Sequence, residues 1–403
     1  MKALRILLLA IIIFPFVSIG QSDVDVFLIA RNTGSKVLSD GNEIRTFGYA
    51  QLINEIPPVP GPTIVVNEGD SVHIDMWNVS QGAPHTIHLH GLDVDQQNDG
   101  VPHLSFEVGH MDHGYYHFKA PHPGTYLYHC HVVSTIHVQA GMYGMIIVKP
   151  SDGSNTTWDG GFEYTDDFVV YTSEIDTTWH TDEVLDHPHD SMMQMIPIPN
   201  YNPQFFLVNG LSDQQLNFEN GFQGEVDKNY FFRLANIGFL GNRYVFPTEL
   251  NAKIVSSDGR PLPNEIQSDT VFVFPGERYG VITNANWWVY DSLQVDYVNM
   301  NTQNIENTQY VTTNVVNVSV EEELQVPANI FPNPSADYIN LEGSFNDVNT
   351  IKIYDVNGKL IDADYELQSN SIRLNLNPFS EGVYFIHVIM NSGQFEIYQA
   401  VKK

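Results

Sequence analysis

Gly124-Thr125-Tyr126-Leu127-Tyr128-His129-Cys130-His131 is the stretch on which the fold and chemistry of this chain turn. Aromatic and β-branched residues following a glycine mark a β-strand, in which successive side chains point to opposite faces. Cys130 therefore faces one way while His129 and His131 face the other. Chemistry on one face of this strand lies a single residue away from chemistry on the other.

Further strands surround it. Residues 63–66, 71–76, 144–149, 168–172, 230–234 and 270–274 form alternating or continuously apolar runs between turns rich in Gly, Pro and Asn. Their spacing is that of sandwiches and barrels. No long segment shows a 3.6-residue period, so low helix content is expected. The polar stretch 150–161, and the acidic turn Glu321-Glu322-Glu323 before Pro327, mark two boundaries. At the N-terminus, Lys2 and Arg5 precede the apolar run 6–17 and the small-residue region Ser18-Ile19-Gly20. That is the layout of a secretory signal peptide, and the apolar run is shorter than the roughly 20 residues of a membrane span. The expected organisation is a signal peptide at 1–20 and β-domains at 21–150, 161–320 and 329–403, on a chain without a membrane span that is secreted or held at the cell surface.

Composition narrows the partners. The 403 residues carry 48 Asp and Glu against 18 Lys and Arg, a formal charge of -30. Nucleic acid is not expected as a partner and anionic membrane surfaces are poor ones, because a phosphate-binding face needs clustered Lys and Arg. Cys130 is the single cysteine, so there is no intrachain disulfide. A free thiol outside the cell tends to oxidise unless burial or a metal protects it.

Of the 16 histidines, 12 lie between His73 and His137, and none lies between 190 and 386. Two clusters stand out: His85, His88 and His90 before Gly91, and His129, Cys130 and His131 followed by His137 and Met142. A cysteine thiolate, two imidazoles and a weak axial methionine make the trigonal ligand set of a blue-copper electron-transfer site. His85, Cys130, His137 and Met142 supply it. His88, His90, His129 and His131 remain as a second group, adjacent through the Cys130 backbone. Zinc competes for Cys and His, but it has no use for a methionine, and structural zinc sites usually bring paired cysteines. His103, His110, His113, His117 and His122 read as ordinary surface or hydrogen-bonded histidines, and Met145 as core.

With these residues in view, His85-x-x-His88-x-His90-Gly91, the stretch 124–131, His137 and Gly141-Met142-Tyr143-Gly144 resemble the copper motifs of the multicopper oxidase (laccase-like) cupredoxin family. Pro60-Gly61-Pro62-Thr63-Ile64 and Gly100-Val101-Pro102 resemble its flanking segments. The resemblance implies an all-β chain of two cupredoxin-like Greek-key sandwiches. It implies a type 1 copper at His85, Cys130, His137 and Met142, and type 2 and type 3 coppers at His88, His90, His129 and His131. Cys130, His129 and His131 would carry electrons from a small-molecule (phenolic) or metal-ion electron donor toward dioxygen. The seven-residue step from Cys130 to His137 is longer than in laccases. A type 1 electron-transfer or copper-binding protein without oxidase activity is the other expectation. Copper nitrite reductases, a neighbouring family, have an Asp at the place of His88 and need a second-domain His, and this chain has neither.

The second domain resembles a cupredoxin domain that has lost its metal. Val208-Asn209-Gly210, Arg233-Leu234-Ala235-Asn236 and Pro275-Gly276-Glu277-Arg278-Tyr279 match the framework, but Asn242-Arg243-Tyr244 stands where a His-x-His would. In the family a trinuclear cluster takes histidines from two domains, so this chain supplies half, and a homo-oligomer whose first domains meet at these histidines is expected, with His187 and His189 of a neighbouring chain as the alternative donors. From residue 330 onward, Pro332-Asn333-Pro334, Ile353-Tyr354-Asp355, Gly382-Val383-Tyr384 and Lys402-Lys403 resemble the type IX secretion sorting domain, a small β-sandwich. His187, His189, Met192, Met193 and Met195 offer soft ligands that suit cuprous ion, although an acidic loop with chance His and Met is the favoured reading.

Overall fold

The computed structural model describes residues 22–403 apart from 83, 187–197, 317–328, 344, 357 and 392–394. The signal-peptide segment, the soft-ligand loop from His187 to Met195, and the acidic turn before Pro327 lie outside the described residues. Among the described residues no helix is long and apolar enough to cross a membrane.

The first sandwich is built from β1 (Asp23–Val37), β2 (Glu43–Ala50), β3 (Ile64–Asn67), β4 (Ser71–Asn78), β5 (His88–His90), β6 (His113–Lys119), β7 (Gly124–His129) and β8 (Tyr143–Lys149). One sheet runs β2-β1-β4-β6 and the other β3-β8-β7-β5. Strict alternation in β4 sends Val72, Ile74 and Met76 into the core and leaves Ser71, His73, Asp75 and Trp77 on the outer face. In β8 every residue but the last is buried. Its apolar run reads continuously because a second layer covers it: Ile146 and Val148 enter the first core, while Tyr143, Met145 and Ile147 pack with Leu127 against Tyr171, Ala235 and Ile237 of the next sandwich.

That second sandwich pairs a six-stranded sheet with a five-stranded one, spanning Asp166–Ile175 to Ile305–Val316. Arg233 is fully buried and ties the two sandwiches together, donating to Asp167 and to the Thr125 hydroxyl. Trp179, Val184 and Leu185 follow the strand Asp166–Ile175 but pack into the first core. A third pair of four-stranded sheets begins at Asn329–Phe331 and ends at Phe395–Lys402, around its own core of Ile339, Leu341, Ile372, Leu374 and Ile386. The molecule is thus an all-β chain of three sandwiches, two cupredoxin-like and one small.

The third sandwich leans on the second. Ser292 donates to the Gly358 carbonyl at 2.6 Å, Tyr354 donates to the Tyr290 carbonyl at 2.5 Å, and Lys352 lies 3.8 Å from both Glu249 and Asp291. His387 is fully buried there, its ring centroid 4.1 Å from that of Tyr290, and neither ring nitrogen has a hydrogen-bond partner. Burial, helped by Lys352, lowers its pKa to about 4. A histidine held neutral in this contact and free to protonate out of it destabilises the contact as pH falls from about 6.5 toward 4, by on the order of 3 kcal/mol at most. Small-angle scattering should show the third sandwich detaching over that window, and His387→Phe should abolish the change. A wild-type profile that stays flat would refute this.

Candidate metal centre

His85 lies ahead of β5 and is fixed by a two-way backbone bridge with Val108, at 3.0 and 2.9 Å. Its Nε2 lies 2.9 Å from the Ser80 hydroxyl, and its Nδ1 lies 3.7 Å from Cys130 Sγ. Strand β7 ends at His129, so Cys130 and His131 follow it, and the Cys130 amide donates to the Met142 carbonyl at 3.0 Å. The chain then turns through Val133, whose φ of 42° is in the left-handed region, into a short helix α1 (Ser134–Gln139). A β-branched residue keeps such a conformation only where its surroundings fix it. Helix α1 brings His137 Nδ1 to 3.2 Å from Cys130 Sγ, and Met142 donates back to the His137 carbonyl at 2.9 Å. The seven-residue step from Cys130 to His137 is taken up by this helix.

His85, Cys130, His137 and Met142 are all fully buried. The ligand atoms of the first three lie within 4.8 Å of one another. Phe47 packs edge-on against both imidazoles, with centroids 6.1 and 5.4 Å away, and its amide is bound to the Ala140 carbonyl that ends α1. Burial pushes the Cys130 thiol up to about 11. Burial keeps the thiol protonated even beside two imidazoles, a cation that displaces the proton makes it a thiolate, and a soft thiolate with two imidazoles suits copper. The donor set fits the group.

The second group assembles on the opposite side of Cys130. His88 and His90 share one face of β5, and His88 pairs in register with His129. The His88 centroid lies 5.7, 5.1 and 5.2 Å from those of His90, His129 and His131. His90 Nδ1 lies 3.4 Å from His129 Nε2, and the ligand atoms of His88, His90 and His129 fall within 4.8 Å. His88 Nδ1 donates to the Asp99 carbonyl at 2.8 Å and His129 Nδ1 to the Cys130 carbonyl at 3.1 Å. A carbonyl can only accept, so Nδ1 carries the proton in both rings and each Nε2 keeps a lone pair for a metal. Burial, with the neighbouring imidazoles, lowers His129 to about 3. Burial, then Arg278 and His88, lowers His90 to about 4, and burial lowers His131 as well. At neutral pH these rings are uncharged and able to ligate.

The second sandwich reaches this group through Gly276 and Arg278. A Cβ on Gly91, whose φ is 85°, would lie 2.2 Å from the Arg278 guanidinium, and one on Gly276 would lie 3.1 Å from the His90 ring. Arg278 is held by Asp258 at 3.0 Å and by the Gly276 and Thr125 carbonyls. At the place of a His-x-His pair, Asn242 and Tyr244 bond to the Thr172 hydroxyl, at 2.8 and 2.9 Å, and Arg243 bonds to Asp296. Structural hydrogen bonds thus engage all three side chains of this segment.

Sequence reasoning missed Phe47, Ser80, Asp99 and Arg278. Only Gly100 and the Arg278 segment left a signal, as part of the flanking motifs. Gly100 has φ 74°, and a Cβ there would lie 1.9 Å from the Ile87 carbonyl, which is how the Asp99 carbonyl comes to reach His88. Of the other described histidines, His110 bonds to the Ser80 carbonyl, His113 to Asp75 and His180 to the Arg45 carbonyl, and none of the described ones joins either group.

Family models described as multicopper oxidase match residues 48–153 and 171–321, more than half of the chain, and a model described as secretion system C-terminal sorting domain matches 329–401. Laccase 1 of Metarhizium acridum is 34% identical over 111 residues, 27% of this chain and 18% of that protein. The iron transport multicopper oxidase FET3 of Saccharomyces cerevisiae is 24% identical over 285 residues, 70% of this chain and 41% of that protein. The chain thus spans less than half the length of these curated relatives. Among solved structures, the blue copper oxidase from Nitrosomonas europaea superposes with a TM-score of 0.58 at 26% identity, covering 76% of this chain and 90% of that one. Fold, donor set and both matched segments agree: the chain belongs to the multicopper oxidase family, whose members bind copper, and carries a C-terminal sorting domain.

Proposed function

We propose that this protein is a secreted or cell-surface copper oxidoreductase that takes electrons singly from a phenolic or metal-ion donor and passes them to dioxygen. The observation that carries the reading is the pair of ligand groups on either side of one residue. Cys130 belongs to a buried group with His85 and His137, and its two covalent neighbours, His129 and His131, belong to the other. A type 1 copper held by His85, Cys130, His137 and Met142 would supply a one-electron couple at the Cys130 sulfur. The protein's own part is positional. The Cys130 backbone joins the two groups, the Asp99 and Cys130 carbonyls hold His88 and His129 in the ligating tautomer, and Phe47 and α1 keep water from the thiolate. The sorting domain supports export.

His88, His90, His129 and His131 would hold type 2 and type 3 coppers. The second sandwich answers them with Gly276 and Arg278, so the remaining ligands come from a second copy whose first sandwich presents the same four histidines across a two-fold axis. The hydrogen-bonded Asn242 and Tyr244 favour a second reading, a type 1 copper electron carrier without oxidase activity. Copper quantitation with oxygen-uptake assays separates them. More than one copper per chain in an active oligomer supports the oxidase, while one copper, blue absorption and no oxygen uptake leave the carrier. An active monomer would rule out the shared cluster, and His90→Ala should abolish oxygen uptake while the blue band stays.

Two tests bear on Cys130. Cys130→Ser removes the thiolate but keeps the volume, so a folded, colourless protein without electron transfer is expected, and a surviving blue band would exclude Cys130 as ligand. In the metal-free chain the thiol should resist a thiol-specific disulfide reagent at neutral pH and react fully only on unfolding. Rapid labelling of the folded protein would contradict both its burial and its raised pKa.

A further inference from the structure

The outer face of the first sandwich carries histidines that neither ligand group uses. His73 on β4 and His117 on β6 are directly opposite in the antiparallel register. Both point away from the core, because the alternation that buries Val72, Ile74, Tyr116 and Phe118 leaves them outside. Their Nδ1 atoms are 2.5 Å apart, with the rings edge to face at a centroid distance of 4.7 Å. Two lone pairs do not face one another at that separation, so either the Nδ1–H of one ring donates to the Nδ1 of the other or a metal ion lies between them. Two imidazole nitrogens about 2.0 Å from one ion lie roughly 3 Å apart, so a small rotation of either ring turns the proton-sharing pair into a chelate.

The surroundings favour the metal. Asp23 Oδ1 lies 3.9 Å from His73 Nε2, beyond hydrogen-bond distance but near enough for its charge to favour a bound cation. Asp25 is the register partner of His73 on β1. The net charge of -30 concentrates cations at such a surface. The His73 side chain is 37% exposed, so water can complete the coordination of an ion held between the two rings.

We infer that His73 and His117 form a solvent-facing bis-histidine site for a divalent transition-metal ion, copper(II) foremost, separate from the interior groups. Copper(II) heads the order of affinities for nitrogen donors, and an open site with water ligands suits its tetragonal preference. His113, bonded to Asp75 at 2.7 Å and stacked on Trp77, is already engaged and serves as the control.

The test titrates the purified full chain with copper(II) and counts bound ions, comparing wild type with the His73→Gln/His117→Gln double variant and with His113→Gln. Because the result is a difference, it stands whether or not the interior groups load. Wild type and His113→Gln should bind one more ion than the double variant, and that ion should give the paramagnetic resonance of a nitrogen-coordinated tetragonal copper(II). Asp23→Asn should weaken it about twofold at low salt and not at high salt. Equal counts in wild type and a double variant with unchanged circular dichroism and metal-free melting temperature would overturn the site, as would an extra ion lost in His113→Gln.

Discussion

Side-chain alternation at the end of β7 is the constraint on which the first sandwich depends. It puts Cys130 into the buried group and turns His129 outward from it, where His88 and His90 of β5 wait in register. The two groups are then separated by backbone alone, and no rearrangement can bring one closer without moving the other. The supports follow from this. Cys130 is pinned through its amide to Met142, Met142 to His137, and the end of α1 to Phe47, so the loop carrying two of the four donors is tied to the strand carrying the third and to β2.

The second sandwich shows what the same framework becomes without ligands. The Thr172 hydroxyl engages the Asn242 amide oxygen and the Tyr244 hydroxyl, and Arg243 spends its guanidinium on Asp296, so all three side chains serve the packing of the sandwich. A buried imidazole pair without a metal would leave polar atoms unmatched, at a cost of about 1–3 kcal/mol for each unsatisfied group. Hydrogen-bonded side chains are the stable choice for a position without a metal. Arg278 has a similar logic at the interface, where its charge, balanced by Asp258, fills space that two glycines leave open beside His90.

Much of this is legible in the sequence for physical reasons. Strand β4 announces itself by alternation and β8 by an unbroken apolar run, because one is covered on a single face and the other on both. The ligand groups are visible because Cys and His are rare residues and their strand spacing fixes which of them share a face. Helix α1 is not visible, since six residues with three β-branched side chains cannot display a helical period. Phe47, Ser80 and Asp99 arrive from other parts of the chain and differ in no local way from other core, turn and surface residues. Arg278, in a Pro-Gly-Glu-Arg turn, reads as framework, and only the docking of the sandwiches places it against the histidines.

The lone cysteine also finds its explanation in this packing. A secreted chain with one free thiol would invite oxidation, yet oxidation needs both access and thiolate, and Cys130 has neither. Its sulfur is fully buried, and the same burial holds its proton in place. Burial likewise lowers His129 and His90, so the Cys130 thiol and these two rings stand uncharged at neutral pH. The apolar wall that protects the empty thiol is therefore also what makes a copper ion, once bound, hard to displace by water. Protection of the residue and retention of the metal are one property of the core around Phe47, Ile136 and Met142.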